Sequence, residues 1–263
     1  MQSARPSSSN QTTAPPRAPV ASPGFFWAFS LPYRTVGYLV RRPSLWPLSS
    51  VPTLIFFLLW AGLFAGFMAV VEHLISAFWL TKLDSVLGAM PGLHLARWIG
   101  GAISGYTAYK ATKVLSAVPL DMLGEKVERM EEARPLPRAP WIDSVGRSVR
   151  VSLFGLALLL LGTWCIGALT AVFPPIGLVT GPMQIALIAS TVAWDMLDYP
   201  YGRRHFGVRA RLHAMREHGA ASLGFGCGYL VMLAVPGMIF VAIVVGSVAA
   251  TRLVIQNERA ANT

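Results

Sequence analysis

Three groupings of charged side chains in this sequence have the types and spacing to handle an ion. Arg41 and Arg42 stand side by side ahead of a long apolar run, a placement that suits anchoring against anionic lipid headgroups. Lys110 and Lys113 share one face of a second apolar segment, a turn from Tyr106 and Tyr109. Such lysines either line an anion path or extend their stems to the headgroups beside aromatic anchors. Asp195 and Asp198 close another apolar segment and are followed at once by Arg203 and Arg204. Acids in that setting serve as a relay or ion path; here a structural salt bridge to the arginines, or a turn cap at Asp198-Tyr199-Pro200, is the plainer reading.

A fourth candidate is the stretch Pro119, Leu120, Asp121, Met122, Leu123, Gly124 and Glu125, read as a loop that opens a polar helix. A helix start attracts anions through its free N–H groups, yet Asp is also among the best ordinary caps. Glu125 stands four residues before Arg129, the spacing of a helical ion pair. No Ser/His/Asp set, paired carboxylates or metal-ligand cluster stands out, so neither an enzyme nor a cofactor is expected. Cys165 and Cys227 sit singly in apolar stretches without a CxxC and read as free, buried thiols. The glycines of GFGCG (224–228) follow no strand and read as close helix packing.

The elements that must carry these residues are set by solvent. Of 263 residues, 54% are hydrophobic and 13% charged, about half the charged fraction of a soluble domain. From Val51 to Val71 no charge interrupts the chain, enough for a helix across a hydrocarbon core of about 30 Å. A second span is expected over about 93–118, after a connection broken by Pro91-Gly92, with Gly101 and Gly105 four apart for close helix approach. Leu123, Val127 and Met130 then mark an amphipathic helix, ended by Pro135, Pro137 and Pro140. Two apolar hairpins follow, with arms at about 151–173 and 176–197, then 220–235 and 238–254, turning at Pro174-Pro175 and Pro236-Gly237. Between them Val208, Leu212 and Met215 form a stripe opposed by Arg209, Arg211, His213 and Arg216, the pattern of a helix lying on headgroups. Residues 1–24, rich in Pro, Ser, Ala and Thr, read as a disordered tail, 25–255 as the membrane domain, and 256–263 as a short C-terminal tail. The hairpins either span or re-enter.

The net charge of +10 is not read as nucleic-acid binding, because the basic residues flank apolar runs and suit anionic lipid headgroups. They cluster before the first span, in 119–150, in 203–216 and at the C-terminus, whereas both hairpin turns have none. Keeping every cluster in the cytoplasm puts both termini there.

Several stretches recur in one order in a known family: PSLWPLSSVP (43–52), VPLDMLGEKVE (118–128), LDYPYGRR (197–204), LGFG (223–226) and VGSVAATRL (245–253). They resemble the CysZ-type sulfate permeases and the related etoposide-induced protein 2.4 domain. The resemblance implies an all-α integral membrane fold of two transmembrane helices and two helical hairpins, homo-oligomeric assembly in a bacterial-type inner membrane, and transport of sulfate into the cytoplasm. It also implies an anion-binding loop before the amphipathic helix and an arginine pair near the first membrane helix. Here the loop is one residue shorter and has Asp121 where the family has Asn, while the arginine pair aligns with Trp46-Pro47, just after Arg41 and Arg42. The expected function is therefore a permease or channel for sulfate or a related small anion. The alternative is a non-transporting membrane scaffold or bilayer-shaping protein.

Overall fold

The structure is a computed structural model that describes residues 23–77, 89–131, 141–235 and 237–261. Nearly all of the 1–24 tail, together with Lys82, Asp84, Pro135, Pro137 and Pro140, lies outside them. Among the described residues there are nine α-helices and no strand: α1 Phe25–Val40, α2 Trp46–Ala77, α3 Ala89–Leu115, α4 Ala117–Met130, α5 Trp141–Val172, α6 Gly177–Arg203, α7 Val208–Glu217, α8 Gly219–Leu233 and α9 Ile239–Ala261. Single 3-10 turns at Pro43–Leu45 and Pro174–Ile176 lead into α2 and α6. Both begin on proline, where a missing N–H costs least.

Helices α2, α5, α6 and α9 are long and apolar enough to cross a bilayer, so the chain is an all-α membrane protein. They are not equivalent. The apolar windows of α2, α5 and α6 are 6%, 11% and 17% buried, against 72% for α9. The first three turn their side chains outward, as lipid solvation allows, and α9 is the spine of the bundle. One side of α9 (Val245, Ala249, Ala250, Leu253) packs with α1, α6 and α8. Its other side (Ile243, Val244, Val248) packs with Phe56 of α2 and with Leu120, Leu123 and Val127 of α4.

Small residues set how closely the helices approach. A Cβ at Gly224 or Gly228 of α8 would overlap the Phe25 and Phe29 carbonyls of α1, and one at Gly226 would overlap that of Ala189 in α6. The GFGCG stretch is thus a packing motif, directed at α1 and α6. The backbones of α8 and α9, the expected hairpin arms, seldom come close, although Tyr229 of α8 lies against Gly246 of α9; the turn between them passes through Gly237, whose φ of 84° suits glycine. With 15 residues, α8 is about 22 Å long, short of the hydrocarbon core. On α3, Gly100 receives Phe67 of α2, while Gly101 and Gly105 lie against Phe64 and Trp60. The α5–α6 hairpin closes through Trp194, whose Nε1 donates to the Val151 carbonyl at 3.1 Å, and through Thr170 and Thr180 at 2.8 Å.

Several expectations are corrected. Pro91 and Gly92 fall in the first turn of α3, where proline is tolerated, so the helix starts before them. The segment 256–261 continues α9. Cys165 is exposed and Cys227 only partly covered, because lipid makes an outward thiol acceptable. Arg211, expected on the headgroup face of α7, is 1% exposed and faces inward, bonding the Phe206 carbonyl at 2.9 Å and pairing with Asp198.

Candidate anion site

The chain leaves α1 at Val40 and turns sharply into α2. Its Arg41 and Arg42 N–H groups bond the Gly37 and Leu39 carbonyls, both at 3.2 Å, and the Trp46 indole donates to the Leu39 carbonyl at 3.0 Å. This turn puts Arg41 and Arg42 at the C-terminal, partially negative end of a helix, a favourable place for cations. Arg34 and Tyr38, four apart, share one face of α1, and Arg41 and Arg42 follow directly after its last turn. With Arg252 from α9, Arg34, Gly37, Tyr38, Arg41 and Arg42 line a cavity of about 470 Å³. Tyr38 is held between two guanidiniums, Arg42 at 4.2 Å and Arg252 at 4.6 Å from the ring centre, and accepts from Arg42 Nη1 at 3.1 Å. Burial raises the Tyr38 hydroxyl above its ordinary value, against the opposing charge of Arg42, so it stays protonated. Arg252 is partly neutralised by Glu131 at 3.1 Å. Among the described residues no acid pairs with Arg34, Arg41 or Arg42. Three guanidiniums without an acid partner and a fourth shared one make a strongly positive basin.

The 119–124 stretch does not join this basin. It is helix, not loop: α4 begins at Ala117, so Pro119 is in its first turn and Asp121 is inside it, not its cap. Ser116 precedes it without a side-chain capping bond. Pro119 has no N–H, and the Leu120 N–H is bonded to the Ser116 carbonyl at 3.0 Å. The donors an anion would need are therefore scarce. Leu120, Leu123 and Gly124 are buried, and Met122 is exposed. The Asp121 carbonyl accepts from Arg203 at 3.0 Å, and Gly124 leaves room for that side chain, since a Cβ there would be 2.9 Å from Arg203 Nη1. Glu125 pairs with Arg129 at 2.7 Å, as the spacing predicts.

The expected bridge from Asp195 and Asp198 to Arg203 and Arg204 does not form. Helix α6 runs through Pro200 to Arg203, and the acids stand five, six, eight or nine residues from these arginines, none of them a whole number of turns. Arg203 instead meets buried Glu128 at 2.9 Å. Arg204 reaches Glu128 at 3.4 Å and clasps Glu258 with both ends of its guanidinium. Burial pushes the Glu128 carboxyl up, against the two arginines that lower it. Asp195 draws both lysines: Lys110 pairs with Oδ2, and Lys113 lies 3.5 Å from Oδ1 and donates to the Asp195 carbonyl at 2.9 Å. Lys113 has a side chain only 4% exposed, so it neither snorkels to an interface nor lines an open path.

A family model described as sulfate transporter CysZ/etoposide-induced protein 2.4 matches residues 31–243. The chain belongs to this family. Among curated proteins, none matches the chain. The match takes in Arg34, Arg41, Arg42, both lysines and Asp195, and ends before Arg252. For a CysZ/etoposide-induced 2.4 chain the cationic centre therefore gathers on α1 and the turn into α2. Sequence reading missed Arg34 and Tyr38, although they stand four apart in the last turns before Arg41, a helical spacing that would have pointed to them. Arg252 and Glu131 carried no local signal, because they arrive from helices far away in the chain.

Proposed function

We propose that this protein carries small oxyanions of the sulfate class across the membrane and that the Arg34–Arg41–Arg42–Arg252 basin captures them. The observation behind this reading is charge imbalance: four guanidiniums face one cavity, and Glu131 is the acid that partners one of them. Membership of the family supports sulfate as the cargo, and the planar forks suit tetrahedral oxygens. The basin connects through Arg252 and Glu131 to Arg259 and through Tyr38 to Met130. Basic residues from α1 and the C-terminal half of α9 thus share one end of the bundle, which this reading keeps on the cytoplasmic side with both termini. The outward apolar faces of α2 and α5 suit lipid or further copies in a homo-oligomer of an inner membrane.

Sulfate flux into proteoliposomes tests the proposal. The intact protein is expected to exceed protein-free vesicles, and Arg41→Ala/Arg42→Ala to lose most of the excess. Flux of sulfate, thiosulfate and molybdate no greater than in empty vesicles would remove the transport reading and leave the scaffold.

A further inference from the structure

We propose that Lys110 and Lys113 form a second seat for a doubly charged oxyanion, filled here by the Asp195 carboxylate. It is built from different residues than the arginine basin and does not depend on it. Two ammonium groups converge on one carboxylate, so the lysines carry one more charge than Asp195 answers. The ionisable groups around them are the tyrosines at 106, 109, 199 and 229. Lys110 lies 5.5 and 5.8 Å from the rings of Tyr106 and Tyr109, Lys113 lies 5.3 Å from that of Tyr199, and Tyr229 is within electrostatic reach of Asp195.

The donors exceed what a carboxylate can use. The hydroxyls of Thr112, Ser116, Tyr199 and Tyr229 are buried and have no hydrogen-bond partner within the protein, and Thr112, Ser116 and Tyr229 are 0% exposed as residues. Thr112 precedes Lys113 on α3, Ser116 lies at the junction of α3 and α4, and Tyr199 stands one turn beyond Asp195 on α6. Buried hydroxyls are ordinarily satisfied. A carboxylate offers two oxygens, both already engaged by lysine, whereas a sulfate-class ion offers four and a charge of two that matches the lysine pair. The seat is reachable, because the Lys110 side chain is 28% exposed. The backbones of α3 and α6 barely meet, so these side chains tie the two helices together. An anion that takes the lysines releases Asp195 and loosens that tie.

The test uses the purified full-length protein in detergent, with sodium sulfate compared to sodium chloride at equal ionic strength. Asp195→Asn opens the seat and leaves buried Lys113 and half-buried Lys110 without their counter-charge. Sulfate, but not chloride, is expected to raise its Tm by several degrees more than it raises that of the unaltered protein. Sulfate binding by calorimetry is expected to be about tenfold tighter than in the unaltered protein. Adding Lys113→Gln to Asp195→Asn is expected to abolish the gain, and Tyr229→Phe in the same background to weaken it. Repeating the comparison with Arg41→Ala/Arg42→Ala present separates the two sites. A gain that persists there supports the seat whatever becomes of the arginine basin. Equal responses to sulfate and chloride, or an Asp195→Asn protein that sulfate cannot keep folded, would overturn the proposal even if the basin binds sulfate.

Discussion

Two cationic clusters in this molecule solve the same electrostatic problem in opposite ways. Around Tyr38, arginines gather at the end of α1 with Arg34 and Arg41 exposed, where water and headgroups screen them and repulsion costs little. Around Asp195, lysines sit in the protein interior, where an unpaired charge is expensive, and there each ammonium has its carboxylate oxygen. The larger excess of positive charge therefore lies at the rim of the bundle, and the interior cluster keeps an excess of one. The interior cluster holds its helices together for as long as Asp195 stays in place.

Removing Asp195 attacks the contrast most strongly. Asp195→Ala is expected to destabilise the protein by about 3 kcal/mol in chloride, because buried Lys113 and half-buried Lys110 lose their counter-charge; denaturant unfolding in detergent reads this. A loss below about 1 kcal/mol would mean that water already reaches the lysines and that the interior cluster is not interior. Next in size is Gly226→Ala, which forces α8 away from the α6 backbone and is expected to cost about 1–3 kcal/mol. Gly62→Ala meets open space and serves as its neutral partner in the same assay. Arg41→Ala/Arg42→Ala is expected to cost only about 0.5–1 kcal/mol, chiefly the Arg42–Tyr38 contact, while anion binding falls sharply and loses its sensitivity to ionic strength. A large stability loss there would make the basin a structural element like the interior one. Smallest is Arg129→Ala, which breaks an exposed helical pair with Glu125 for roughly 0.3 kcal/mol; an effect on sulfate binding from that change would mean the charge acts at long range rather than through the basin.

The membrane class, the α2 span, the α5–α6 hairpin and the packing role of GFGCG were legible because each rests on a run of apolar or small residues within one segment. The 119–124 stretch was misread because its motif invites a loop, while a buried Leu120, Leu123 and Val127 hold it as helix against α9. Acid partners were misassigned for a related reason. Asp198 finds Arg211 thirteen residues on, and Asp195 finds lysines 85 and 82 residues earlier. Neighbours in sequence were the wrong guide once α6 continued through Pro200. Arg41 and Arg42 stand out in the sequence as a pair, but the cavity they line also takes Arg252, which no local pattern connects to them.

On the proposed reading, the arginine basin is where the oxyanion is held. Equilibrium binding of radiolabelled sulfate to the purified protein, with and without Arg34→Ala/Arg41→Ala/Arg42→Ala, tests it most directly. Saturable binding that weakens as salt rises, and that disappears in the triple variant while the protein stays folded, is the result expected. Undiminished binding in that variant would contradict the claim.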